Sequence, residues 1–497
     1  MLPMHISTSL PHSIYRAELV REHEKAIAQQ LNIDMFSLMK DAGLSSFELL
    51  IDLWPNTKTL LVVCGSGNNA GDGFVVARLA LLKGINVYVH SLTALSNYNG
   101  DAQTAVQQYI EAGGEVHAFN DVDFKRVDVI VDALIGTGLA GEVKENYRYV
   151  IDFVNKLNTP VLSIDIPSGL NGNTGSVNGC AIKADTTVTF IAYKAGLFTG
   201  RAADYCGQIY LADLGIGKTF VENINSNLRL NYGASIPAIL PRLNCAHKGN
   251  SGFVLACGGN AQMPGAIRLA AEATMRAGAG LVAVSCHQKS QLLVAATRPE
   301  LMLLDLTNPN IDEQQKLQRI NAVVVGPGLG TDEWAKLQLE KALSLSLPTV
   351  VDADALNLIA QQEISNGNWI LTPHPGEAAR LLGCSIKEVE QDRYRAVKLI
   401  AKRYGGVCVL KGAGTLISDG DTVAINYNGN SGMAVAGMGD VLAGIMSALI
   451  LQSDCLFSAA KIAVYIHGKA ADLASLDGKK GMLASDLFPI IRQLVNQ

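Results

Sequence analysis

The apolar positions of this chain fall into short continuous blocks rather than long amphipathic stripes. Thr59-Leu-Leu-Val-Val-Cys64 is the first, and similar blocks recur at Asn86–His90, Val127–Val131, Pro160–Asp165, Thr186–Ile191 and Ile209–Leu211. Blocks that are apolar on both faces of the pleat predict strands buried on both sides, as in parallel sheets. Helix-favouring segments lie among them. Pro11–Gln30 is polar and is expected as a surface helix, Met35–Leu53 follows, and Phe74–Lys83 comes after the first strand and its turn. The alternation predicts an α/β fold with a Rossmann-like doubly wound parallel sheet, whose ligands bind beyond the carboxyl ends of the strands.

A second series begins further on. His247–Asn260 reads as a loop, a strand and a glycine turn, and strands are expected in Gly278–Ser285, Ala322–Val325, Thr349–Val351, Trp369–Leu371 and Val407–Leu410. Met263-Pro-Gly-Ala-Ile opens an alanine-rich helix with proline near its first turn, and Val441–Leu451 reads as a buried helix. Between the two series, Leu214–Leu240 carries scattered asparagines, which predicts domains at 1–220 and 221–497. Gly217-Lys-Thr219 resembles the tail of a Walker loop, but the required upstream glycine is Ala212 and no helix start is expected there.

Composition narrows the classes. A chain of 497 residues is long enough for two or three cores, and 48% hydrophobic against 17% charged residues argues against disorder. A net charge of -5 gives no reason to expect nucleic acid. No apolar run is long enough to predict a membrane span, and Met1–Leu10 lacks the layout of a signal peptide. The nine cysteines include no Cys-x-x-Cys pair, and Cys64, Cys257, Cys286 and Cys408 lie at or in strand-like runs. Buried thiols and a reducing cytoplasm are expected, with a homo-oligomer as the assembly.

The candidate chemistry sits at predicted strand ends. After the first strand comes Gly65-Ser-Gly-Asn-Asn-Ala-Gly-Asp-Gly73, a glycine-rich loop without dinucleotide spacing. Its Asn68, Asn69 and Asp72 can hold a cation beside a ribose or phosphate, or serve as turn residues that tolerate left-handed backbone. Asp132 leads into a second loop ending at Glu142, and Asp165 leads into Ile-Pro-Ser168. Asn69, Asp132, Asp165 and Ser168 therefore share one rim, an oxygen set better suited to a monovalent ion than to zinc.

In the second half, Lys411 and the Gly412–Thr415 backbone can line a nucleotide, and Gly437-Met-Gly439 opens a helix whose N-terminus suits transferred charge. Asp440 is either that helix's cap or a base for an attacking hydroxyl, and the surrounding phosphoryl-transfer set favours the base. His374 lies between two prolines and is expected to contact substrate, whereas His467 is expected to be packed in a helix. Asp352 and Asp354 either help to hold magnesium or cap the following helix.

These motifs carry two resemblances. Over about the first 215 residues, Gly67-Asn-Asn-Ala-Gly-Asp-Gly73, Asp132…Gly136-Thr-Gly138 and Asp165-Ile-Pro-Ser-Gly-Leu170 resemble the NAD(P)H-hydrate epimerase family, with Ala70 where that family usually has glycine. The resemblance implies that Asn68, Asn69, Ala70, Gly71 and Asp72, together with Gly136, Thr137, Gly138, Leu139, Ala140, Gly141 and Glu142, contact a hydrated nicotinamide nucleotide. It further implies a potassium ion on Asn69, Asp132 and Ser168, and proton transfer by Asp165.

From about residue 226 onwards, Gly258-Gly-Asn260…Met263-Pro-Gly-Ala266, Gly326-Pro-Gly-Leu-Gly330, Thr372-Pro-His-Pro-Gly-Glu377, Lys411-Gly and Asn430-Ser-Gly…Gly-Met-Gly-Asp440 are similar to the ADP-dependent NAD(P)H-hydrate dehydratase family, whose fold is ribokinase-like. This resemblance implies that Ala266, Gly328 or Gly330, His374 and Asp440 contact the hydrate. Lys411, Gly412, Ala413, Gly414, Thr415 and Gly439 would contact ADP or ATP with magnesium. Asp440 would deprotonate the S hydrate for phosphorylation, loss of phosphate would regenerate NADH or NADPH with release of AMP and phosphate, and the first half would interconvert the R and S epimers. The competing reading is a vitamin-type small-molecule kinase fused to a non-catalytic nucleotide-binding module.

Overall fold

The computed structural model describes residues 13–139, 141–233, 239–296, 298–362 and 364–497, together with the backbone of Ile6–Ser7. Most of the Met1–Leu10 stretch lies outside the described residues. The chain divides into two compact units, Met1–Leu228 and Arg229–Gln497.

In the first unit, two helices, α1 (Ala17–Gln30) and α2 (Met35–Leu53), precede strand β1 (Thr59–Cys64). Then follow α3 (Asn68–Leu82), β2 (Asn86–Ser91), α4 (Gly100–Glu111), β3 (Val129–Ala133), α5 (Glu145–Val154), β4 (Val161–Ile164), β5 (Thr186–Phe190), β6 (Gln208–Ala212) and α6 (Gly217–Asn223). The strands run in the order β6-β5-β4-β3-β1-β2, all parallel, and Ile6–Ser7 adds an antiparallel edge on β6. Strand β1 shows why its residues are all apolar. Leu60, Val62 and Cys64 pack into one core, with α2 and α3, while Leu61 and Val63 pack into another, with α5. Alternate side chains leave the pleat on opposite faces, and here both faces are dry.

The expected Gly65–Gly73 loop is shorter than its glycines suggest, because α3 already begins at Asn68. Glycine at 71 and 73 serves close packing instead of a flexible turn. A methyl on Gly71 would lie 2.7 Å from the Met39 side chain, and one on Gly73 would lie 2.5 Å from Cβ of Ala133. The first absence lets α3 pack closely on α2 and α4, and the second lets it lie directly on the sheet. Two further expectations change. Helix α6 starts at Gly217, so a helix does follow Gly217-Lys-Thr. Helix α1 is not a simple surface helix, for Ala17, Val20, Ile27 and Ala28 are buried.

The second unit carries β7 (Phe253–Cys257), α7 (Pro264–Arg276), β8 (Leu281–Ser285), β9 (Met302–Leu303), β10 (Ala322–Val325), α8 (Glu333–Ser344), β11 (Thr349–Val351), α9 (Ala353–Ile359), β12 (Trp369–Leu371), α10 (Pro375–Leu382), α11 (Arg393–Tyr404), β13 (Val407–Leu410), β14 (Thr415–Ser418), β15 (Val423–Asn426), α12 (Met438–Leu449) and α13 (Leu456–Ala474). Strands β9-β8-β7-β10-β11-β12-β13 are parallel, and β14 and β15 continue the sheet antiparallel. Helices α7, α12 and α13 supply much of one core, which includes Ile267, Val441, Ile445 and Val464. Cys64, Cys257, Cys286 and Cys408 are buried and all nine cysteines are free. Among the described residues, no helix is long and apolar enough to cross a membrane.

Replacing Gly73 with alanine drives a methyl into Ala133 and towards Cys64 and Val62. Overpacking of this kind costs about 1–3 kcal/mol. A lowered denaturant midpoint for the unfolding of the first unit is the expected outcome, and an unchanged midpoint would refute the packing argument.

Candidate functional site

Both parallel sheets change direction once, and ligands gather at such switch points. In the first unit the switch lies between β1 and β3. A cavity of about 550 Å³ opens there, lined by Ser66–Asn69 and Asp72 from the start of α3 and by Leu134–Leu139 after β3. Asp165 from the end of β4 and Lys194 beyond β5 complete its floor, and Arg21 and Glu24 of α1 form one wall. Gly67 occupies the cap position of α3 with no side chain over the helix mouth, so the first N–H groups are open to an anion. Asn68, Asn69, Asp72, Gly136, Thr137, Gly138, Leu139, Glu142 and Asp165 all line this cavity, whereas Ala70 and Gly71 are buried and are not among its lining residues. Gly141 is not among its lining residues, and Ala140 lies outside the described residues.

Asp132 and Ser168 do not face the cavity directly. The Asp132 carboxylate is fully buried and accepts from Ser163 Oγ (2.8 Å), Ser168 Oγ (2.6 Å) and N (2.9 Å), and Leu134 N (3.2 Å). Burial nonetheless pushes its pKa up, against these hydrogen bonds. Ser168 Oγ also accepts from Ile135 N at 2.7 Å, and Asn69 lies against Gly136. The three residues thus converge on the Leu134–Gly136 segment. The buried Asn69 amide nitrogen has no hydrogen-bond partner.

Two residues missed in the sequence reading organise the charge. Lys194 is 2% exposed and donates to Asp165 Oδ1 at 2.6 Å and to the Phe190 carbonyl at 2.7 Å. Asp165 also accepts from Thr189 Oγ1 at 3.2 Å and holds a left-handed backbone with φ of 65°, a strained conformation of the kind retained at functional sites. Glu24 lies nearby, its pKa raised by burial to about 7 despite Lys194. Asp72 is raised further, by burial and by the neighbouring Asp165 and Glu24. The available signals were modest: Lys194 follows a strand end on the same rim, and Arg21 and Glu24 share one face of α1 at i, i+3 spacing.

In the second unit the switch lies between β7 and β10. The glycine turns after them are stitched together, Gly259 N to Pro327 O at 3.0 Å and Asn260 N to Gly328 O at 2.7 Å. Gly328 sits against Met263 and Ala266, and Gly330 beside Asn260. Further along the same edge, Lys411 leaves β13 and pairs with Asp352 Oδ1 at 2.7 Å, with Glu377 Oε2 at 3.9 Å. Burial works against its charge, but Asp352 and Glu377 outweigh it and hold the ammonium above its usual range. Gly412–Gly414 make the turn from β13 into β14, which starts at Thr415.

Neither Asp352 nor Asp354 caps α9. Asp352 sits at the cap position but makes no cap bond, accepting instead from Lys411 and from Thr372 Oγ1 at 2.6 Å, while Asp354 accepts from Gly330 N at 2.8 Å. His374 does cap, its Nδ1 taking Gly376 N at 2.9 Å, and burial and Lys411 lower its pKa. Asn430 is structural, tying its loop to Asp472 at 3.1 Å. His467 is packed within α13, its pKa driven by burial to about 4.

Gly437 turns the chain into α12 with φ of 91°, a left-handed conformation natural to glycine, and leaves the helix mouth without a side-chain cap. Gly439 is close enough to Lys411 that an added methyl would stand 3.3 Å from Nζ. Asp440, in the first turn, makes no cap hydrogen bond, which removes the cap reading. Burial first, and then Asp352, raise its pKa to about 7 against the pull of Lys411. An uncapped helix mouth, a cation and an unpaired carboxylate that titrates near neutrality make a site for moving a phosphoryl group onto a hydroxyl. Among the described residues, no group of three or more His, Cys, Asp or Glu is placed to hold a metal.

Comparison with known proteins agrees with this division. Residues 254–493 match a family described as NAD(P)H-hydrate dehydratase, and residues 36–196 match one described as YjeF-related protein N-terminus. The chain is 43% identical over 486 residues to a bifunctional NAD(P)H-hydrate repair enzyme of Coxiella burnetii, covering 97% of this chain and 99% of that protein. It is 43% identical over 490 residues to the enzyme of the same description in Escherichia coli K12, covering 98% and 95%. A crystal structure of a ribokinase-like superfamily protein from Enterococcus faecalis matches with a TM-score of 0.50 and 27% identity, over 55% of this chain and 97% of that one.

Replacing Lys411 with methionine strands the Asp352 carboxylate, which is 1% exposed, without its cation. Breaking a buried pair from one side costs about 3–5 kcal/mol. Denaturation followed by tryptophan fluorescence, with Trp369 on the adjacent strand β12, is expected to show that loss. Adding Asp352→Asn is expected to recover part of it; no loss in the single variant would refute the assigned pairing.

Proposed function

This chain belongs to the bifunctional NAD(P)H-hydrate repair enzymes, and from that premise we propose how its two sites divide the work: the first unit interconverts the R and S hydrates, and the second dehydrates the S form at the cost of ADP. The single observation that carries the dehydratase assignment is Asp440, an unpaired carboxylate beside Lys411 at the open mouth of α12. The resemblance over nearly the whole chain to repair enzymes favours this reading over a vitamin kinase with a regulatory module.

In the second unit, Asp440 takes the proton from the hydroxyl of the S hydrate as that oxygen attacks the terminal phosphoryl group. The open N–H groups of α12 and the Lys411 ammonium stabilise the charge that develops on the transferred group. Lys411 and the Gly412–Thr415 turn, with Ala413 and Gly439, line the nucleotide, while Ala266, His374 and the Gly328–Gly330 loop hold the hydrate. Phosphate is a much better leaving group than hydroxide, and the ring nitrogen expels it to regenerate the reduced nicotinamide. Magnesium would be carried in on the nucleotide phosphates, where it would neutralise their charge.

In the first unit, the mouth of α3 suits the pyrophosphate of the hydrated nucleotide, and Asp165 acts at the inverting centre. The Asn69 side chain would suit a monovalent cation, since its oxygen lies towards Gly136, on the same segment that Ser168 and Asp132 hold. Potassium bound there would fix the Leu134–Gly136 backbone beneath the substrate. Nine free cysteines are in keeping with a reducing cytoplasm.

The test supplies purified protein with mixed epimers of the NADH hydrate, magnesium, potassium and ADP or ATP, and follows the near-ultraviolet absorbance of NADH. Complete recovery is expected with nucleotide. Recovery that stops at the S fraction would remove the epimerase from the first unit, and none with either nucleotide would remove the dehydratase from the second.

A separate expectation concerns Asp440 alone. It must be ionised to act, and its pKa is raised to about 7, so the dehydration rate is expected to climb as pH rises through that value. Asp440→Asn is expected to lower kcat by about 10²–10⁴-fold. A flat acidic limb in the native enzyme, or an active asparagine variant, would refute its role as base.

A further inference from the structure

Epimerising a hydrate of this kind needs more than the one carboxylate assigned above. Reduced nicotinamide is an enamine, and water adds to an enamine at the carbon bonded to nitrogen. The inverting carbon therefore carries both the hydroxyl and the ring nitrogen. Inversion by opening the ring needs a base on the oxygen and an acid on the nitrogen at the same moment.

The cavity supplies one half of that requirement openly. Asp165 accepts from both Lys194 and Thr189 and is the base. Lys194 is a poor acid here, because loss of its proton would leave the Asp165 carboxylate without its cation in a poorly solvated site. Arg21 stays charged at any working pH. Asp72, on the first turns of α3, is buried, whereas Glu24 is only part-buried and so more open to a substrate in the cavity.

Glu24 remains. It projects from α1 into the cavity, close enough to feel both Lys194 and Asp165, and its carboxyl makes no hydrogen bond to any described residue. We propose that Glu24 is the second proton carrier of the epimerase site, the acid that delivers a proton to the ring nitrogen while Asp165 removes one from the hydroxyl. This deepens the epimerase reading and rests on it.

The step balances. The hydroxyl proton passes to Asp165, the carbon–nitrogen bond breaks as the nitrogen takes the Glu24 proton, and an aldehyde forms. Rotation about the adjoining carbon–carbon bond turns the other face of the aldehyde to the nitrogen. Ring closure then returns the nitrogen's proton to Glu24, and the oxygen recovers its proton from Asp165. No oxidant, reductant or water is consumed. The groups around Glu24 set its titration: burial raises it, Lys194 lowers it, Asp165 raises it and Arg21 lowers it, leaving it at about 7. As an acid it is competent below that value and loses its proton above it.

The experiment uses the full chain with purified R hydrate and no nucleotide, and compares the native protein with Glu24→Gln. Epimerisation kcat is expected to fall about 10²-fold or more in the variant, with KM held within about twofold, and the alkaline limb of the native kcat profile near pH 7 is expected to vanish. Nucleotide-dependent dehydration of the S hydrate is expected to be unchanged, and an unchanged denaturant midpoint for the first unit reports that the variant folds. A hydroxyl carrying a heavy-oxygen label is expected to keep it through each inversion. An unchanged kcat and pH profile in Glu24→Gln, or loss of the label to solvent at each turnover, would overturn the proposal while leaving the epimerase reading intact. A native enzyme that fails to interconvert the epimers would overturn both.

Discussion

A parallel strand buried on both faces has no place for a polar side chain except at its ends. In β1, successive residues enter two separate dry cores, so every position from Leu60 to Cys64 must be apolar. The chemistry is thereby expelled to the carboxyl edge. It concentrates where the strand order reverses, because there the loops diverge and leave room for a ligand. Both units obey the constraint independently. In the first, the turns after β1 and β3 make the cavity walls; in the second, those after β7 and β10 are hydrogen-bonded to each other. Glycine 73 serves the same end, since it lets α3 lie close against Ala133 on the sheet.

The two sites also share an electrostatic arrangement. Each holds a single part-buried or buried lysine against a carboxylate, Lys194 with Asp165 and Lys411 with Asp352. One cation cannot satisfy several carboxylates in a poorly solvated space. The surplus acids, Glu24 and Asp72 in one site and Asp440 in the other, are therefore pushed up in pKa. Neutral-pH proton transfer follows from that imbalance without any unusual residue. What differs is which partner is left over: a carboxyl deep in a cavity in the first unit, and a carboxylate at a helix mouth beside a phosphoryl site in the second.

Much of this was legible in the chain. Apolar blocks located the strands, and the order of the glycine motifs located both rims, because strand burial and close backbone approach restrict sequence strongly. The boundaries of α3 and α6 were less legible: glycine marks tight packing as well as turns, and only the neighbours decide, as Ala133 does for Gly73. Glu24 and Lys194 were missed for another reason. Each looks like an ordinary charged residue on a helix or after a strand, and only the packing of α1 against the sheet's rim brings them to Asp165. His374 and Asn430 mark the opposite case, motif residues whose visible bonds are a helix cap and a loop tie.

The two assigned roles impose opposite pH dependences on one polypeptide. Under the proposed roles, Asp440 as a base would gain competence as pH rises through about 7, whereas Glu24 as an acid would lose competence over the same interval. Epimerisation is reversible and has no driving force of its own; the R form is drawn through only because phosphoryl transfer removes the S form irreversibly. The flux from R hydrate to reduced nucleotide thus depends on both groups being in their working states together. That overlap is widest near neutrality, where roughly half of each population is competent. Below it, S hydrate would accumulate for want of ionised Asp440, and above it R hydrate would persist for want of protonated Glu24. Burial raises both carboxyl groups to about 7 against the pull of a nearby lysine, so the two proposed proton transfers share one working range.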